Sequence, residues 1–458
     1  MNLKDAVIGQ RRYFSTGATK RYETRAGALK RLKNSITRHG DELTAALGKD
    51  LGRSTFEAYM TEVGNTKNSI DHTLKALPGW MKDETVKRTL TNPVSRGVIK
   101  REPLGTVLIM VPFNYPILLL FEPLMAAVSA GNTVICKSSS LTPHVNEVIG
   151  KIIKESFRED HVYYVDLQNT SNEEVLEETY DLIFFTGGTA TARTILAKAA
   201  PNLTPVILEL GGKSPAIVMK NSEVAIAARK IIWGKMLNAG QTCIAPDYVL
   251  VHEDVADHLI REMKQAIEDF FGMDPHTSPD FGRIISQEAF ERLLGLIKDT
   301  QGTIVSGGNW NKAEKYIEPM LVRDVLPEDP LMEREIFGPI LPIITYRDIN
   351  QAIEQIKPRG KPLALYVFSR DIPMAEAVMG RISFGGGCIN DTMIHVSNPN
   401  LPLGGVGMSG MGKYHGRFGF DSFSHQKGLI VTQASREIPF IYPPYNKTKL
   451  KLVKRILG

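Results

Sequence analysis

Cysteine is scarce in this sequence, with three residues among 458. Cys136, Cys243 and Cys388 lie far apart and form no Cys-X-X-Cys pair. This spacing argues against a disulfide framework and against a cysteine-rich zinc site, so we predict no bound metal. A free, isolated thiol is typical of a reducing compartment, and we predict a cytoplasmic protein.

Long hydrophobic runs and a strong charge of one sign are also missing. Among the longest apolar stretches is Ile117 to Ala130, which Glu122 and Pro123 interrupt and which is too short to cross a bilayer. Residues 1–17 lack the apolar core of a signal peptide. The formal net charge of +5 is small for this length, which argues against nucleic-acid binding and favours chemistry on a small molecule.

What the sequence does have is length and a regular alternation of patterns. With 458 residues, of which 43% are hydrophobic, the chain can build two or three domains. Apolar residues recur at helical spacing from Arg21 to about Trp80, which predicts a helical segment. Two short extended pieces, 88–91 and 96–100, then predict a β-hairpin or a pair of edge strands.

From Thr106 onwards strands alternate with helices, which predicts an α/β fold with a doubly wound parallel sheet. The predicted strands cover 106–111, 133–136, 162–165, 182–185 and 206–208, and the predicted helices cover 117–130, 143–157 and 189–199. Ligands bind at the carboxyl ends of such strands, where Asn114, Lys137, Thr186 and Glu209 fall. A second α/β region runs from Gly211 to Ile389 and carries Cys243. Residues 418–431 are predicted to be extended and to pair with the earlier hairpin.

Three side chains suggest chemistry, and each has a structural alternative. Cys243 ends the small-residue run 238–243, which suits a nucleophile, although a buried cysteine is common. Glu209 is either a capping or lysine-paired carboxylate, or a base whose pKa burial raises. Asn114 either starts a turn before Pro116 or donates its amide to an oxyanion.

One further motif suits an anion. Thr186-Gly187-Gly188 follows a strand and opens a helix, which is the geometry of a phosphate site, although two glycines are weak evidence. The turn 111–114 has no Gly-X-Gly-X-X-Gly. These patterns alone indicate an α/β enzyme with a thiol nucleophile.

Taken in order, the motifs resemble those of the aldehyde dehydrogenase superfamily, and of its class 3 branch, from about Arg21 to Gln426. The motifs are Phe-Asn-Tyr-Pro at 113–116, Ala-Gly-Asn-Thr-Val at 130–134, Glu-Leu-Gly-Gly-Lys-Ser-Pro at 209–215, Gly-Gln-Thr-Cys-Ile-Ala-Pro-Asp-Tyr at 240–248, Glu-Ile-Phe-Gly-Pro at 335–339, and Leu-Pro-Leu-Gly-Gly-Val-Gly with Tyr-His-Gly within 401–416. The resemblance implies oxidation of medium-chain, fatty or aromatic aldehydes to acids.

The resemblance also implies a role for each site residue. Cys243 attacks the aldehyde carbon, and Asn114 and the Cys243 backbone N–H hold the oxyanion. Glu209 activates the water that releases the acid. NAD or NADP is the implied cofactor, with Lys137 at the adenosine ribose, Glu335 at the nicotinamide ribose and Phe337 beside the ring. The full set of implied cofactor contacts is Lys137, Ser140, Thr186, Gly187, Gly188, Leu210, Gly211, Glu335 and Phe337.

Two departures from the family pattern bear on the cofactor. The family continues its lysine as Lys-Pro-Ser-Glu, whereas this chain has Lys137-Ser138-Ser139-Ser140. Because the carboxylate that repels a 2′-phosphate is missing, we predict that NADP is accepted as well as NAD. A family glycine is replaced by Ala192 after the Thr186-Gly187-Gly188 turn, which predicts a small change in helix packing.

The resemblance implies a division of the chain and a partner. Residues 1–83 and 107–210 form a dinucleotide-binding domain, 211–395 a catalytic domain, 84–106 and 396–445 a small β bridging element, and 446–458 a basic tail. The bridging element implies a homodimer by strand exchange. The tail either docks on the protein, stays in solvent or attaches peripherally to anionic lipid. Competing functions are an esterase that uses Cys243 and Glu209, and a non-catalytic binding protein.

Overall fold

A computed structural model describes residues 2–457. The first of its sheets has six strands. From edge to edge the strands are Gly410–Met411, Val206–Leu210, Leu182–Gly187, Thr106–Met110, Thr133–Lys137 and Val162–Tyr164. All neighbours are parallel except the first pair. The chain winds outward from the strand Thr106–Met110 in both directions, which confirms the predicted doubly wound sheet.

Helices cover both faces of this sheet, and successive side chains of each strand point to opposite faces. Val107 and Ile109 join a core with one group of helices, and Leu108 and Met110 join a core on the opposite face. The first group is Tyr22–Arg38, Gly40–Leu51, Thr55–Ala58, the π-helical turn Tyr59–Val63, Gly64–Trp80, Leu118–Ala130 and Pro143–Ser156. The second group is Leu3–Ser15, Asn172–Glu177 and Thr189–Ala199. The helical segment predicted from Arg21 to Trp80 is confirmed, whereas the helix Leu3–Ser15 was not predicted.

The second sheet has seven strands, six of them parallel. Their order is Thr303–Ser306, Met320–Arg323, Ile340–Tyr346, Tyr248–His252, Pro215–Val218, Ala364–Phe368 and Gly386–Ile389, and the first of these is antiparallel to its neighbour. The associated helices are Val224–Met236, Glu253–Phe271, Gln287–Asp299, Pro330–Glu333, Ile349–Ile356 and Ile372–Met379, and a small hairpin joins Trp310–Asn311 to Tyr316–Ile317. This sheet confirms the second α/β region.

A three-stranded antiparallel sheet joins distant parts of the chain. Its order is Glu84–Val86, Ser95–Pro103 and Ser424–Thr432, which confirms the small β element and its pairing with the earlier hairpin. The prediction of a strand at 88–91 was wrong. Those residues lie in the connection, where the backbone N–H of Asn92 donates to Thr89 O at 3.1 Å and closes a turn.

The segment after 415 also differs from the prediction. Residues Gly416–Ser422 form a helix rather than extended chain, and the strand begins only at Ser424. The helix packs on Leu118–Ala130, and the Phe420 ring lies 5.7 Å from that of Trp80. Burial of this aromatic side chain therefore overrides the local extended pattern.

The end of the described chain is helical. Lys447–Leu457 form a helix in which no residue is buried. No helix within residues 2–457 combines the length and the apolar character that crossing a membrane would need.

Candidate active site

Cys243 lies in a loop that left-handed backbone shapes. Residues 238–240, which follow the helix Val224–Met236, have φ angles between 51° and 77°. A Cβ atom at Gly240 would lie 2.2 Å from Gly338 O, so only glycine fits this close approach. The tight turn ends the helix and leaves Cys243 half-buried in the wall of a cavity of 370 Å³.

This cavity, called here the chamber, brings together four of the predicted site residues: Cys243, Glu209, Thr186 and Leu210. Much of its remaining surface is apolar, including Met60, Leu118, Trp233, Leu237, Ile394 and Val396. A concave, largely apolar site with a few polar groups is the usual form of a small-molecule site.

Glu209 lies next to the end of the strand Val206–Leu210 and faces the chamber from the first sheet. Its side chain is buried, and its Oε1 atom has no hydrogen-bond partner among residues 2–457. Loss of water raises the pKa of Glu209 well above its ordinary value. Burial, with the nearby carboxyl groups of Glu335 and Glu209, also raises the pKa of the Cys243 thiol to about 12. The Cys243 thiol is therefore protonated near neutral pH in the ligand-free protein, and burial shifts Glu209 toward its protonated form.

Asn114 lies beside the nucleophile loop rather than in the lining of the chamber. Its Nδ2 donates to Gln241 O at 3.0 Å, and Asn238 Nδ2 donates to Asn114 O, also at 3.0 Å. An amide has two N–H hydrogens, so one on Asn114 can still serve another acceptor. The predicted oxyanion donor and the predicted nucleophile are thus held in one hydrogen-bonded unit.

A buried arginine that no sequence motif marks fixes this unit. Arg53, whose side chain is fully buried, donates to Asn114 O, to Asn238 Oδ1 at 2.9 Å and to Glu62 Oε1 at 2.6 Å. Glu62 Oε2 in turn accepts backbone N–H groups at the start of the helix that follows Asn114. The guanidinium also lies 4.3 Å from the centre of the Tyr115 ring, which adds a cation–π contact.

A second cavity, of 390 Å³, adjoins the chamber because Thr186 lines both. Of the predicted cofactor residues it brings together Lys137, Ser140, Thr186 and Gly187. Gly188 is the N-cap of the helix Thr189–Ala199 and supplies no side-chain cap, so backbone N–H groups at this end remain free for an anion. Lys137 is the one charged residue among those that line this cavity, and burial lowers its pKa.

Glu335 and Phe337 line neither cavity but lie against residues of the site. A Cβ atom at Gly211 would lie 1.9 Å from Glu335 Oε2, so the carboxyl group packs directly on that backbone. Burial raises the pKa of Glu335 to about 8, although the hydrogen bond from the Gly212 backbone N–H lowers it. The ring of Phe337 meets that of Phe113 edge-on at 6.0 Å, and Phe113 lines the second cavity.

One buried ion pair explains why three of the motifs meet. Lys213 Nζ lies 2.5 Å from Asp247 Oδ2, and Asp247 Oδ1 accepts the Ile336 backbone N–H at 2.9 Å. The motifs at 209–215, 240–248 and 335–339 are therefore joined through one carboxylate. Each of the three motifs carries at least one charged residue, but the sequence does not show which of these residues pair with one another.

Comparison with known proteins agrees with this geometry. The model of the Aldehyde dehydrogenase family matches residues 2–429. The chain is 44% identical to the 4,4'-diaponeurosporen-aldehyde dehydrogenase of Staphylococcus aureus (strain NCTC 8325 / PS 47), over 99% of this chain and 98% of that protein. It is 39% identical to aldehyde dehydrogenase family 3 member B1 of Mus musculus, over 99% and 97% of the two chains.

A solved structure is similar over the whole length. It is described as the substrate bound state of Staphylococcus aureus AldH, and it is 42% identical, with a TM-score of 0.96 and complete coverage of both chains. The chain therefore belongs to the aldehyde dehydrogenase family, in its class 3-like branch, and is an oxidoreductase that uses NAD or NADP.

Proposed function

We propose that this enzyme oxidises an aldehyde to the carboxylic acid through a thioester on Cys243, which water activated by Glu209 hydrolyses. One observation carries the proposal: the chamber that holds a thiol and a buried carboxyl group shares Thr186 with the cavity that suits a dinucleotide. A substrate carbon bound at the thiol would therefore lie next to the cofactor.

The first half of the cycle uses the nucleophile loop. The Cys243 thiolate attacks the aldehyde carbon, so that an S–C bond forms and the carbonyl oxygen becomes an oxyanion. The free N–H of the Asn114 amide and the Cys243 backbone N–H stabilise that charge. Bound NAD or NADP supplies the acceptor for the hydride that leaves this carbon.

The second half uses the opposite side of the chamber. Ionised Glu209 takes a proton from water, whose oxygen attacks the thioester carbon and releases Cys243 and the acid. Burial favours this role because a carboxylate without other partners is a stronger base than one in water.

A purified enzyme tests the proposal. With an aldehyde and NAD or NADP, we expect nicotinamide reduction and a carboxylic acid as the product. Cys243→Ala should lose the activity by roughly 10⁴-fold or more. Glu209→Gln should accumulate an acyl-enzyme that intact-protein mass spectrometry detects, and ester cleavage without any reduction would favour the esterase instead.

We propose that residues 1–83 and 107–210 form the cofactor-binding domain. We also propose that this domain accepts NADP as well as NAD. Every residue that lines the second cavity is neutral or, for Lys137, cationic, so nothing there repels a 2′-phosphate. Comparing kcat/KM for both cofactors tests this, and a strong preference for NAD would contradict it. Ser140→Glu should shift the preference toward NAD by about tenfold or more.

The substrate is proposed to be a medium-chain, long-chain or aromatic aldehyde, because the chamber walls are largely apolar. Aldehydes that differ in chain length and ring content, compared by kcat/KM, test this class. A preference for the shortest aldehydes would contradict it.

A homodimer is proposed on the three-stranded sheet. Its outer strand, Ser424–Thr432, has one edge that no strand within residues 2–457 pairs, and the Ile430 side chain is 59% exposed. An exposed apolar edge strand favours pairing with another chain. Analytical ultracentrifugation should find a dimer that Ile430→Lys weakens, and a monomeric wild type would contradict the proposal.

For the basic tail, residues 446–458, we propose peripheral attachment to anionic lipid. Leu450, Val453 and Leu457 share one side of the helix Lys447–Leu457, and Lys447, Lys451 and Lys454 share another. This pattern is typical of helices that lie at a membrane surface. Co-sedimentation with anionic vesicles should disappear when the residues after Tyr445 are deleted. Binding that survives the deletion would leave docking on the protein or solvation.

A further inference from the structure

Two buried titratable side chains line the chamber but have no part in the chemistry above. Glu122 lies on the helix Leu118–Ala130, and His415 directly precedes the helix Gly416–Ser422. Each is about 6% exposed, and both line the same chamber as Cys243. An acid and an imidazole in a mostly apolar chamber require an explanation.

The two side chains face each other without satisfying each other. His415 Nε2 lies 3.8 Å from Glu122 Oε1, which is too long for a hydrogen bond. Within the described part of the chain, Glu122 Oε1 and His415 Nδ1 have no hydrogen-bond partner although both atoms are buried. Burial raises the pKa of Glu122, while the charge of His415 and a hydrogen bond with Ser69 lower it. Polar atoms buried in this way destabilise the ligand-free protein unless another group satisfies them.

The backbone keeps the imidazole in this place. His415 has a φ of 91°, a conformation that costs free energy in a residue with a side chain. The helix that follows it packs on the helix carrying Glu122, so the two groups are held on adjoining elements. Such strain and unmet hydrogen-bonding capacity occur together at ligand sites.

We propose that Glu122 and His415 form a subsite that hydrogen-bonds a hydroxyl group on the aldehyde substrate, at a position away from the reacting carbon. This subsite rests on the proposed function and narrows its substrate class to hydroxylated aldehydes with an apolar body. A hydroxyl group donates one hydrogen bond and accepts another, so one placed beside Glu122 Oε1 and the facing His415 Nε2 can pair with both when one of the two atoms carries a proton. An apolar tail serves neither group, and an ammonium group only donates and would lie against the imidazole.

Matched pairs of aldehydes test the subsite. The quantity measured is kcat/KM for nicotinamide reduction. Straight-chain aldehydes of increasing length are compared with their terminally hydroxylated and terminally aminated analogues. Benzaldehyde is compared with its hydroxybenzaldehydes. For at least one pair the hydroxylated member should exceed its parent by roughly tenfold or more, because a site built for a hydroxyl discriminates against the analogue without it. Glu122→Leu should bring that ratio to about one, and Glu122→Gln, which keeps an acceptor, should retain part of it.

The chain offers a matched control. Glu314 Oε2 lies 2.9 Å from His276 Nε2, so this is also a carboxylate–imidazole pair, and neither residue lines the chamber. Glu314→Leu should leave the hydroxyl ratio unchanged. His415→Asn, with a residue that tolerates positive φ, removes the other half of the subsite and should also abolish the ratio.

Each outcome decides between the two proposals. Equal kcat/KM within every pair, a preference for the aminated analogue, or a hydroxyl preference that survives in Glu122→Leu or His415→Asn would overturn the subsite while aldehyde oxidation stands. Absence of nicotinamide reduction with every aldehyde would overturn the proposed function and the subsite with it. If Glu122→Leu fails to fold, the wild-type ratios together with Glu122→Gln and His415→Asn give the same decision.

Discussion

Two regions of the active site are built in opposite ways. The braced region comprises Arg53, Asn114, Tyr115, Asn238 and Thr242, and side-chain hydrogen bonds join its members to each other or to the nucleophile loop. Of these five side chains, only that of Asn114 has a buried polar atom, Oδ1, without a hydrogen-bond partner among residues 2–457. The unsatisfied region comprises Glu122, Thr186, Glu209 and His415, each of which has a buried polar atom that no described residue hydrogen-bonds. The braced region positions groups before substrate arrives, whereas the unsatisfied region is completed only by substrate, water or cofactor.

Removing the arginine should break the braced region and give the largest effect. Arg53→Met leaves Glu62 buried without its charge partner, which should lower the free energy of unfolding by about 3–5 kcal/mol. Arg53→Lys keeps the charge but cannot reach three acceptors in a plane, so kcat should fall by about 100-fold while KM changes little. Chemical denaturation and steady-state kinetics measure the two effects.

The three-stranded sheet supplies the control. Arg101 pairs with Asp421 at 2.7 Å and with Glu84 at 3.1 Å, and these two carboxylate side chains are 26% and 51% exposed, whereas Glu62 is fully buried. Water can therefore solvate the carboxylates that Arg101→Met leaves unpaired, and the substitution should cost only about 1–2 kcal/mol. Equal losses from the two arginines would contradict the special position of Arg53.

The pH dependence of the thiol sharpens the comparison, because it depends on the unsatisfied region. The pKa values of Cys243 and Glu209 are both raised, so the thiolate and the carboxylate increase as pH rises. Alkylation of Cys243, and kcat/KM, should therefore increase by up to about tenfold per pH unit between about pH 6 and pH 9. Peptide mass spectrometry distinguishes Cys243 from Cys136 and Cys388.

Glu209→Gln provides the internal test of that reasoning. The Glu209 carboxyl group contributes to the raised pKa of Cys243, so its removal should move the alkylation profile toward lower pH. A profile that stays in place would show that burial alone sets the reactivity of the thiol.

Smaller effects than that of Arg53→Met are expected from two threonines, one in each region. Thr242 Oγ1 bonds the Tyr115 hydroxyl at 2.8 Å, so Thr242→Val should lower the free energy of unfolding by about 1–3 kcal/mol. Thr186 Oγ1 has no partner, so Thr186→Val should be neutral or stabilising by about 0.5 kcal/mol in the ligand-free protein. Guanidinium unfolding of both variants measures the difference, and a reversed order would refute the distinction between the regions.

The sequence predicted the parts of the molecule that depend on local pattern. Strand and helix alternation from Thr106 to Leu210 is visible as apolar periodicity, and it gave the doubly wound sheet. Cys243 and Glu209 stood out as candidates because Cys243 follows a helix end among small residues and Glu209 lies near a strand end just before two glycines. The strand predicted at 88–91 was wrong because turn hydrogen bonds, rather than a partner strand, fix that segment.

The missed parts depend on contacts between distant residues. Arg53 reaches Asn238 across 185 positions of sequence, and nothing near Arg53 distinguishes it from a solvent-exposed arginine. Glu122 interrupts an apolar run, and this local signal indicates only that the run does not span a membrane. Its pairing with His415 is set by the packing of two helices, which no local pattern encodes.

The close approach of Gly240 to the backbone of Gly338 defines the smallest unit of this site that could be moved to another protein. A graft of the six residues around Cys243 alone would lack the chain against which they are folded. The transplantable piece is two loops in backbone contact, and recombination between related genes should preserve activity only where both loops come from the same parent.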